Sequence, residues 1–180
     1  MYKIICTGNP KGIGIAQEIK KLYPDTFFVS RETGFDLETT EGVDKLKKKL
    51  LDYNVLINST YIDTGFQQSV LEYTHSIWNT GNVFNIGSID EYKKFNTETN
   101  KWFQSANSLK EKGLELTDEK FKVTHITVGG FQSYVKSGSE PTMHPRHIAE
   151  TINWILNAPF EVPVIGVQQM SQYIRDYYNV

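Results

Sequence analysis

Residues 3–16 read Lys-Ile-Ile-Cys-Thr-Gly-Asn-Pro-Lys-Gly-Ile-Gly-Ile-Ala, and the rest of the chain is organised around this stretch. An apolar run leads into a glycine-rich turn, and a helix-compatible segment begins at Ile15. Such a strand–turn–helix is typical of a phosphate-binding site, because the free N–H groups and the dipole of a helix N-terminus favour an anion. We expect Gly8 to allow the tight turn, Gly12 to let backbone N–H groups approach a pyrophosphate, and Gly14 to allow close helix–strand packing.

The composition is that of an ordinary globular chain. Its 180 residues are 39% hydrophobic and 22% charged, so we expect a single domain over residues 1–180. A net charge of −2 gives no electrostatic reason to expect nucleic acid or an anionic membrane as a partner. A single cysteine, Cys6, excludes an internal disulfide. No apolar run reaches the ~18 residues of a membrane span and no signal peptide precedes the first strand, so we expect a cytoplasmic protein.

Helix and strand signals alternate along the chain, which predicts an α/β fold with a mostly parallel sheet. After the first strand, strand signals lie at residues 26–30, 34–37 (weak), 54–58, 82–88, 121–128 and 162–167. Helical signals lie at residues 15–23, 40–51, 67–78, 101–112 and 145–156, and we expect the fourth of these helices to end at Gly113. The order predicts a Rossmann-type, doubly wound parallel sheet in a single three-layer domain.

Five segments, in order, resemble the short-chain dehydrogenase/reductase family. The turn Thr7-Gly8-x-x-x-Gly12-x-Gly14 has the spacing of that family's fingerprint. Residues 55–60 resemble its Asn-Asn-Ala-Gly strand, residues 83–88 the strand that ends in the catalytic serine, residues 122–129 the strand whose Pro-Gly end contacts the nicotinamide, and residues 147–150 the start of its late helix. Val128 stands in place of the proline. The resemblance implies a nicotinamide dinucleotide cofactor and oxidoreductase activity on a carbonyl or alcohol.

The predicted cofactor site lies at the carboxyl ends of the strands. In open α/β sheets, ligands bind beyond these ends, at the point where the strand order reverses. The segments that resemble the family end at the same edge, so both arguments indicate one surface. The residues expected to bind the dinucleotide are Thr7, Gly8, Asn9, Lys11, Gly12, Ile13, Gly14, Ser30, Arg31, Asn58, Ser59, Thr60, Ile86, Gly87 and Gly129.

Charge favours NADP over the alternative, NAD. An NAD site needs a carboxylate at the end of the second strand, whereas the 2′-phosphate of NADP needs a cation. That position holds Ser30 followed by Arg31, with no acid, and Lys11 precedes the second glycine of the turn. Arginine offers a bidentate fork to phosphate, and lysine offers a point charge.

The catalytic residues that the resemblance implies are incomplete. Ser88 matches the family's catalytic serine, but Trp102 stands where its tyrosine is expected and Ala106 stands at its lysine. Neither side chain can act as a proton acid near neutral pH. Tyr92, followed by two lysines, is a candidate substitute; its alternative role is that of a half-buried loop tyrosine. Only eight residues separate Asn58 from Gln67, where family members usually carry another helix.

Two functions therefore remain open. One is an oxidoreductase that binds NADP(H) or NAD(H) and a small-molecule substrate. The other is a dinucleotide-binding protein without hydride transfer, serving as a sensor or interaction module. A homodimer through the helix at residues 101–112 is compatible with either function.

Overall fold

The computed structural model describes residues 2–60, 65–88, 101–129 and 143–168, and it describes only the backbone for Ser88 and residues 101–104. The strands are β1 (Ile4–Thr7), β2 (Phe27–Val29), β3 (Val55–Asn58), β4 (Gly81–Ser88), β5 (Phe121–Val128) and β6 (Val164–Val167). The helices are α1 (Ile15–Leu22), α2 (Thr40–Leu50), α3 (Phe66–Ile77), α4 (Lys101–Leu116) and α5 (Arg146–Asn157), with a 3₁₀ helix at Arg31–Thr33. In the described part of the chain, no helix has both the length and the apolar character needed to cross a membrane.

The six strands form one sheet in the order β2-β1-β3-β4-β5-β6, and every neighbouring pair is parallel. β1 lies inside the sheet, where Thr7 is in register with Val29 on one side and with Asn58 on the other. The chain runs outward from β1 to β2 and then returns to start β3 on the other side. The strand order therefore reverses between β1 and β3, which places a crevice beyond Thr7 and Asn58.

Helices cover both faces of the sheet. On one face, apolar side chains of α1 and α5, such as Ile19 and Ile152, pack on the strands. On the other face, α2, α3 and α4 contribute residues such as Leu46, Leu71 and Leu109. These two apolar layers on either side of a parallel sheet confirm the predicted three-layer, Rossmann-type α/β fold.

Residues 34–37 do not form the weak strand that the sequence predicts. The chain instead turns through the 3₁₀ helix, which ends at Gly34 with a left-handed φ of +87°. The Thr33 hydroxyl accepts a hydrogen bond from the Ser30 N–H at 2.9 Å and donates one to the Phe28 carbonyl at 2.9 Å. Such local side-chain bonds stabilise a turn at the expense of an extended strand.

α4 continues to Leu116, so the prediction that it ends at Gly113 is wrong. Gly113 lies where the helix crosses β5, and a Cβ there would lie only 3.0 Å from Val123 Cγ1. This glycine therefore serves close packing between helix and sheet and does not terminate the helix.

Candidate functional site

The glycine turn joins β1 to α1 at the carboxyl edge of the sheet. The Gly8 N–H donates to the Val29 carbonyl at 2.9 Å, which fixes the start of the turn against β2. Among the described residues, no side chain caps the N-terminus of α1 at Gly14. The first N–H groups of a helix have no partner within the helix, so this terminus can donate to an anion. Ile13 is 63% exposed beside it.

Gly8 is the glycine that allows α1 to approach the strands. A Cβ at Gly8 would lie 3.0 Å from Ala16 Cβ and 3.4 Å from Ser59 Oγ, and its φ is +150°. A Cβ at Gly14 would meet no atom within 4 Å. The expectation that Gly14 serves close packing is therefore wrong, because the turn carries Gly14 clear of its neighbours. Its φ of +158° still suits glycine.

Thr7 joins β1 to the segment that follows β3. Its hydroxyl oxygen accepts hydrogen bonds from the backbone N–H groups of Ser59 at 2.9 Å and Thr60 at 3.0 Å. In return, the Ser59 hydroxyl donates to the Thr7 carbonyl. These bonds set the separation of the two strand ends across the crevice. They also occupy the backbone N–H groups of Ser59 and Thr60, so these two groups already have partners within the protein.

A buried network of side-chain amides holds the ends of β3 and β4. Two of its members, Gln67 and Asn85, are not among the site residues that the sequence predicts. Gln67, in the first turn of α3, donates from Nε2 to the carbonyls of Asn58 at 2.7 Å and Ile86 at 3.1 Å. Asn58 Nδ2 donates to the Gln67 carbonyl at 2.8 Å and to Asn85 Oδ1 at 3.0 Å. The sequence signal for this network is the pair of amides, Asn58 and Asn85, within otherwise apolar strands.

The network leaves two buried polar atoms without a partner among the described residues, Asn58 Oδ1 and Asn85 Nδ2. If the side-chain oxygen and nitrogen of Asn58 were exchanged, its oxygen would face the Gln67 carbonyl oxygen. If those of Asn85 were exchanged, its amino group would face the amino group of Asn58. The observed orientation is therefore the favourable one. Both residues are fully buried, so the network fixes the strand ends at the cost of two unsatisfied groups.

The two cations expected at a 2′-phosphate both have carboxylate partners. Arg31 Nε lies 3.2 Å from Asp36 Oδ1, and the same guanidinium pairs with Glu38. The hydrogen bond from Arg31 lowers the pKa of Asp36. Lys11 Nζ lies 3.9 Å from Glu32 Oε2. The sequence shows no acid at the position that Ser30 and Arg31 occupy, but Glu32 stands one residue beyond Arg31 and reaches back to the glycine turn.

The ends of β4 and β5 complete the edge. Ile86 and Gly129 are buried, and Ser88 is in register with Val128. The Gly129 N–H donates to the Val167 carbonyl at 2.9 Å, and a Cβ on Gly129 would lie 2.8 Å from Gln168 Cβ. Gly129 is therefore required where the ends of β5 and β6 meet, and its N–H is occupied within the protein.

No protein-family model and no curated protein matches this sequence. Solved structures do match the fold. A short-chain dehydrogenase from Burkholderia cenocepacia J2315 in complex with NADP has a TM-score of 0.68 at 13% identity, over 98% of this chain and 93% of that one. A short-chain dehydrogenase/reductase from Vibrio parahaemolyticus has a TM-score of 0.70 at 17% identity, over 93% and 100%. A short-chain dehydrogenase from Leptospira borgpetersenii with bound NAD+ has a TM-score of 0.70 at 11% identity, over 93% and 92%.

The chain has the short-chain dehydrogenase/reductase fold. The family resemblance in the sequence is thus confirmed at the level of the fold. Within that fold, the residues predicted for the dinucleotide lie at the carboxyl edge, at the ends of β1, β2, β3, β4 and β5.

The catalytic predictions are only partly placed in this fold. Ser88 ends β4 and Ala106 is buried in α4. Tyr92 and the side chains of Ser88 and Trp102 lie outside the described residues.

Proposed function

We propose that this protein binds a nicotinamide dinucleotide across the carboxyl edge of its sheet. The observation that carries the proposal is the N-terminus of α1, which follows a glycine turn beside the strand-order reversal and has no side-chain cap among the described residues. A pyrophosphate there would accept hydrogen bonds from helix N–H groups and gain from the helix dipole. Similar structures that contain NADP or NAD+ support the same assignment.

The proposed cofactor is NADP(H), with NAD(H) as the alternative. Lys11 and Arg31 lie on the two turns that follow β1 and β2, which would flank the adenosine half of the ligand. A 2′-phosphate can pair with a guanidinium in a bidentate way. Both cations already have acidic partners, so a 2′-phosphate must compete for them.

Calorimetric titration with NADPH and NADH tests the binding proposal. Gly12→Asp adds a carboxylate to the turn, where it should repel the pyrophosphate and weaken binding of both ligands by at least about tenfold. Asn157→Asp adds the same charge at the exposed carboxyl end of α5, which leads into the start of β6 at the opposite edge of the sheet, and it should leave both affinities unchanged. If the wild-type protein bound neither NADPH nor NADH at about 1 mM, the proposal would be wrong.

For the reaction, we propose hydride transfer between the nicotinamide and a carbonyl or alcohol, with Ser88 and Tyr92 as the catalytic residues. Ser88 would hydrogen-bond the substrate oxygen and Tyr92 would supply the proton. The dinucleotide, when bound, would supply the hydride. The expected result is NADPH oxidation with a panel of carbonyl compounds, lost in Tyr92→Phe and retained in Trp102→Phe.

A second function, dinucleotide binding without turnover, is favoured by one observation. Ala106 is a buried methyl group in α4, at the position where the family resemblance requires a lysine. An alanine can neither lower the pKa of a neighbouring tyrosine nor hold a ribose. Binding of NADPH without oxidation by any member of the panel would select this second function.

We also propose that a homodimer, if formed, uses α4. The helix packs on α3, β4 and β5. Light scattering of the wild-type protein, with and without NADPH, measures the oligomeric state directly.

A further inference from the structure

A cavity of about 480 Å³ opens at the amino edge of the sheet, opposite the edge proposed for the dinucleotide. It lies where β1 and β2 begin, between the end of α1 and the segment that joins α2 to β3. This volume is in the range of sites for small organic molecules. The charge and the hydrogen-bonding capacity of the lining indicate which kind of molecule the cavity would take.

Three tyrosines give the cavity apolar surface: Tyr2, Tyr23 and Tyr53. The Tyr23 hydroxyl donates to Asn153 Oδ1 at 2.7 Å, and the Tyr2 hydroxyl donates to the Leu156 carbonyl, so α5 anchors both side chains. A tyrosine ring offers a flat apolar surface to a ligand. Because two of these rings are already held by the protein, a ligand that packs on them meets a smaller ordering cost.

The cavity also has one unpaired charge of each sign. Lys3, just before β1, and Asp25, in the turn between α1 and β2, both line it. Within the part of the chain that the structure describes, neither side chain forms an ion pair. The other carboxylate of the lining, Asp52, is paired with Lys49, whose Nζ lies 3.0 Å from Asp52 Oδ2. A ligand with one positive and one negative group matches this arrangement.

Thr26 is a buried polar residue in the same lining. It is 8% exposed, and its hydroxyl oxygen has no hydrogen-bond partner among the described residues. Its backbone N–H donates to the Tyr23 carbonyl at 3.1 Å, which holds the residue in place. A buried hydroxyl without a partner costs free energy, and a polar group of a bound molecule would offset that cost. This observation indicates a ligand independently of the two charges.

We propose that this cavity binds a zwitterionic small molecule with an apolar side group, of the chemical class of the free α-amino acids. Lys3 attracts the carboxylate, Asp25 attracts the ammonium group, and Thr26 hydrogen-bonds the polar end of the ligand. The apolar side group packs on the tyrosines. The cavity lies at the other edge of the sheet from the glycine turn, so the inference does not depend on dinucleotide binding.

The probe is L-phenylalanine, titrated into the wild-type protein while the backbone N–H signals are followed by NMR spectroscopy. We expect saturable shifts at Thr26 and Tyr53 with a Kd of about 1 mM, because the ligand is small and the charges that hold it are exposed. 2-Phenylethylamine lacks the carboxylate, and 3-phenylpropionate lacks the ammonium group. Each should bind at least about threefold more weakly than L-phenylalanine.

Two variants assign the charged groups of the ligand to their partners. Lys3→Gln should weaken binding of L-phenylalanine and 3-phenylpropionate about threefold without weakening that of 2-phenylethylamine. Asp25→Asn should weaken binding of L-phenylalanine and 2-phenylethylamine without weakening that of 3-phenylpropionate. Lys120→Gln is the matched control, because Lys120 is an exposed lysine at the same edge of the sheet but outside the cavity. It should leave all three affinities unchanged.

Thr26→Val keeps the shape of the side chain and removes its hydroxyl. It should weaken binding of L-phenylalanine about threefold without lowering the free energy of unfolding in urea, because the hydroxyl has no partner in the described part of the protein. A merely structural role for Thr26 would instead lower stability and leave the affinity unchanged.

Saturable shifts at Thr26 and Tyr53, with both analogues weaker than L-phenylalanine, support the inference. Three results overturn it. They are the absence of a saturable shift at either residue up to about 20 mM L-phenylalanine, an analogue that binds as tightly as L-phenylalanine, and an unchanged affinity in both Lys3→Gln and Asp25→Asn. The first two results come from the wild-type protein, so they decide the matter even where a variant fails to fold.

Discussion

Substitution of Gly8 by alanine probes the contact on which the geometry of the glycine turn depends. The new Cβ would lie 3.0 Å from Ala16 Cβ and 3.4 Å from Ser59 Oγ. Both neighbours are fixed, because Ala16 is in α1 and the Ser59 hydroxyl donates to the Thr7 carbonyl. The methyl group can therefore be accommodated only if α1 moves away from the strand ends.

Two costs add in this variant. A non-glycine residue at a φ of +150° is strained by about 1–2 kcal/mol. Inserting a methyl group into a packed contact costs about 1–3 kcal/mol more. We therefore expect Gly8→Ala to lower the free energy of unfolding by about 2–5 kcal/mol.

Gly14→Ala separates the two costs. Gly14 has a φ of +158°, close to that of Gly8, but a Cβ there would meet no atom within 4 Å. It should show only the backbone cost, about 1–2 kcal/mol. The unfolded-state effect of replacing glycine by alanine is common to both variants, so the difference between them measures the contact with α1.

Equilibrium unfolding in urea measures these free energies. Ala16→Gly removes the opposing methyl group, so it should destabilise the Gly8→Ala background less than it destabilises wild type, where a helical glycine costs about 1 kcal/mol. Two results would refute this reasoning. One is a free energy of unfolding that falls equally, within about 0.5 kcal/mol, in Gly8→Ala and Gly14→Ala. The other is an Ala16→Gly change that destabilises the Gly8→Ala variant as much as it destabilises wild type.

Three further predictions concern the buried network, the cysteine and pH. Gln67→Leu removes the donor to two buried carbonyls at the strand ends, so it should lower the free energy of unfolding in urea by about 2–4 kcal/mol. Gln68→Leu, at the next and more exposed position, is the control and should lower it by under about 1 kcal/mol. Burial raises the pKa of Cys6 to about 12, so its thiol should not react with iodoacetamide at pH 8 unless urea unfolds the protein. Backbone hydrogen bonds from Phe121 and then Lys120 lower the pKa of Asp118, so its contribution to stability is present above the ordinary aspartate pKa and lost as pH falls through the lowered one. Asp118→Asn should therefore be less stable than wild type in urea at pH 7, and the gap should narrow as the pH falls below the ordinary aspartate pKa.

The sequence predicts what depends on neighbouring residues. The strand, the glycine turn and the start of α1 are contiguous, so their spacing alone indicates a strand–turn–helix. The alternation of apolar segments likewise predicts the layers, because each helix and strand must bury its own apolar face. Residues 34–37 are mispredicted because a threonine hydroxyl three residues from Ser30 stabilises a turn, and strand propensity does not include that hydrogen bond.

Contacts between distant segments are what the sequence does not reveal. Gly113 resembles a helix terminator until α4 is seen to cross β5 at that residue. Glu32 resembles a surface acid until the turn after β2 is folded against the turn after β1, 23 residues earlier. Gln67 likewise gains its role only when the first turn of α3 lies beside the ends of β3 and β4. In each case the partner is set by the topology of the sheet.

Hydrogen bonds within the protein hold the strand ends that line the crevice, and this separates binding from catalysis. Thr7 holds the segment after β3 through two N–H groups, and Gln67 holds the ends of β3 and β4. A dinucleotide would thus meet strand ends that are already fixed, which lowers the ordering cost of binding. Hydride transfer would need a proton donor in addition, and α4 has the buried Ala106 at the position where the family resemblance implies the lysine that assists that donor. Loss of turnover in this fold therefore need not carry loss of binding, and affinity and activity must be measured separately.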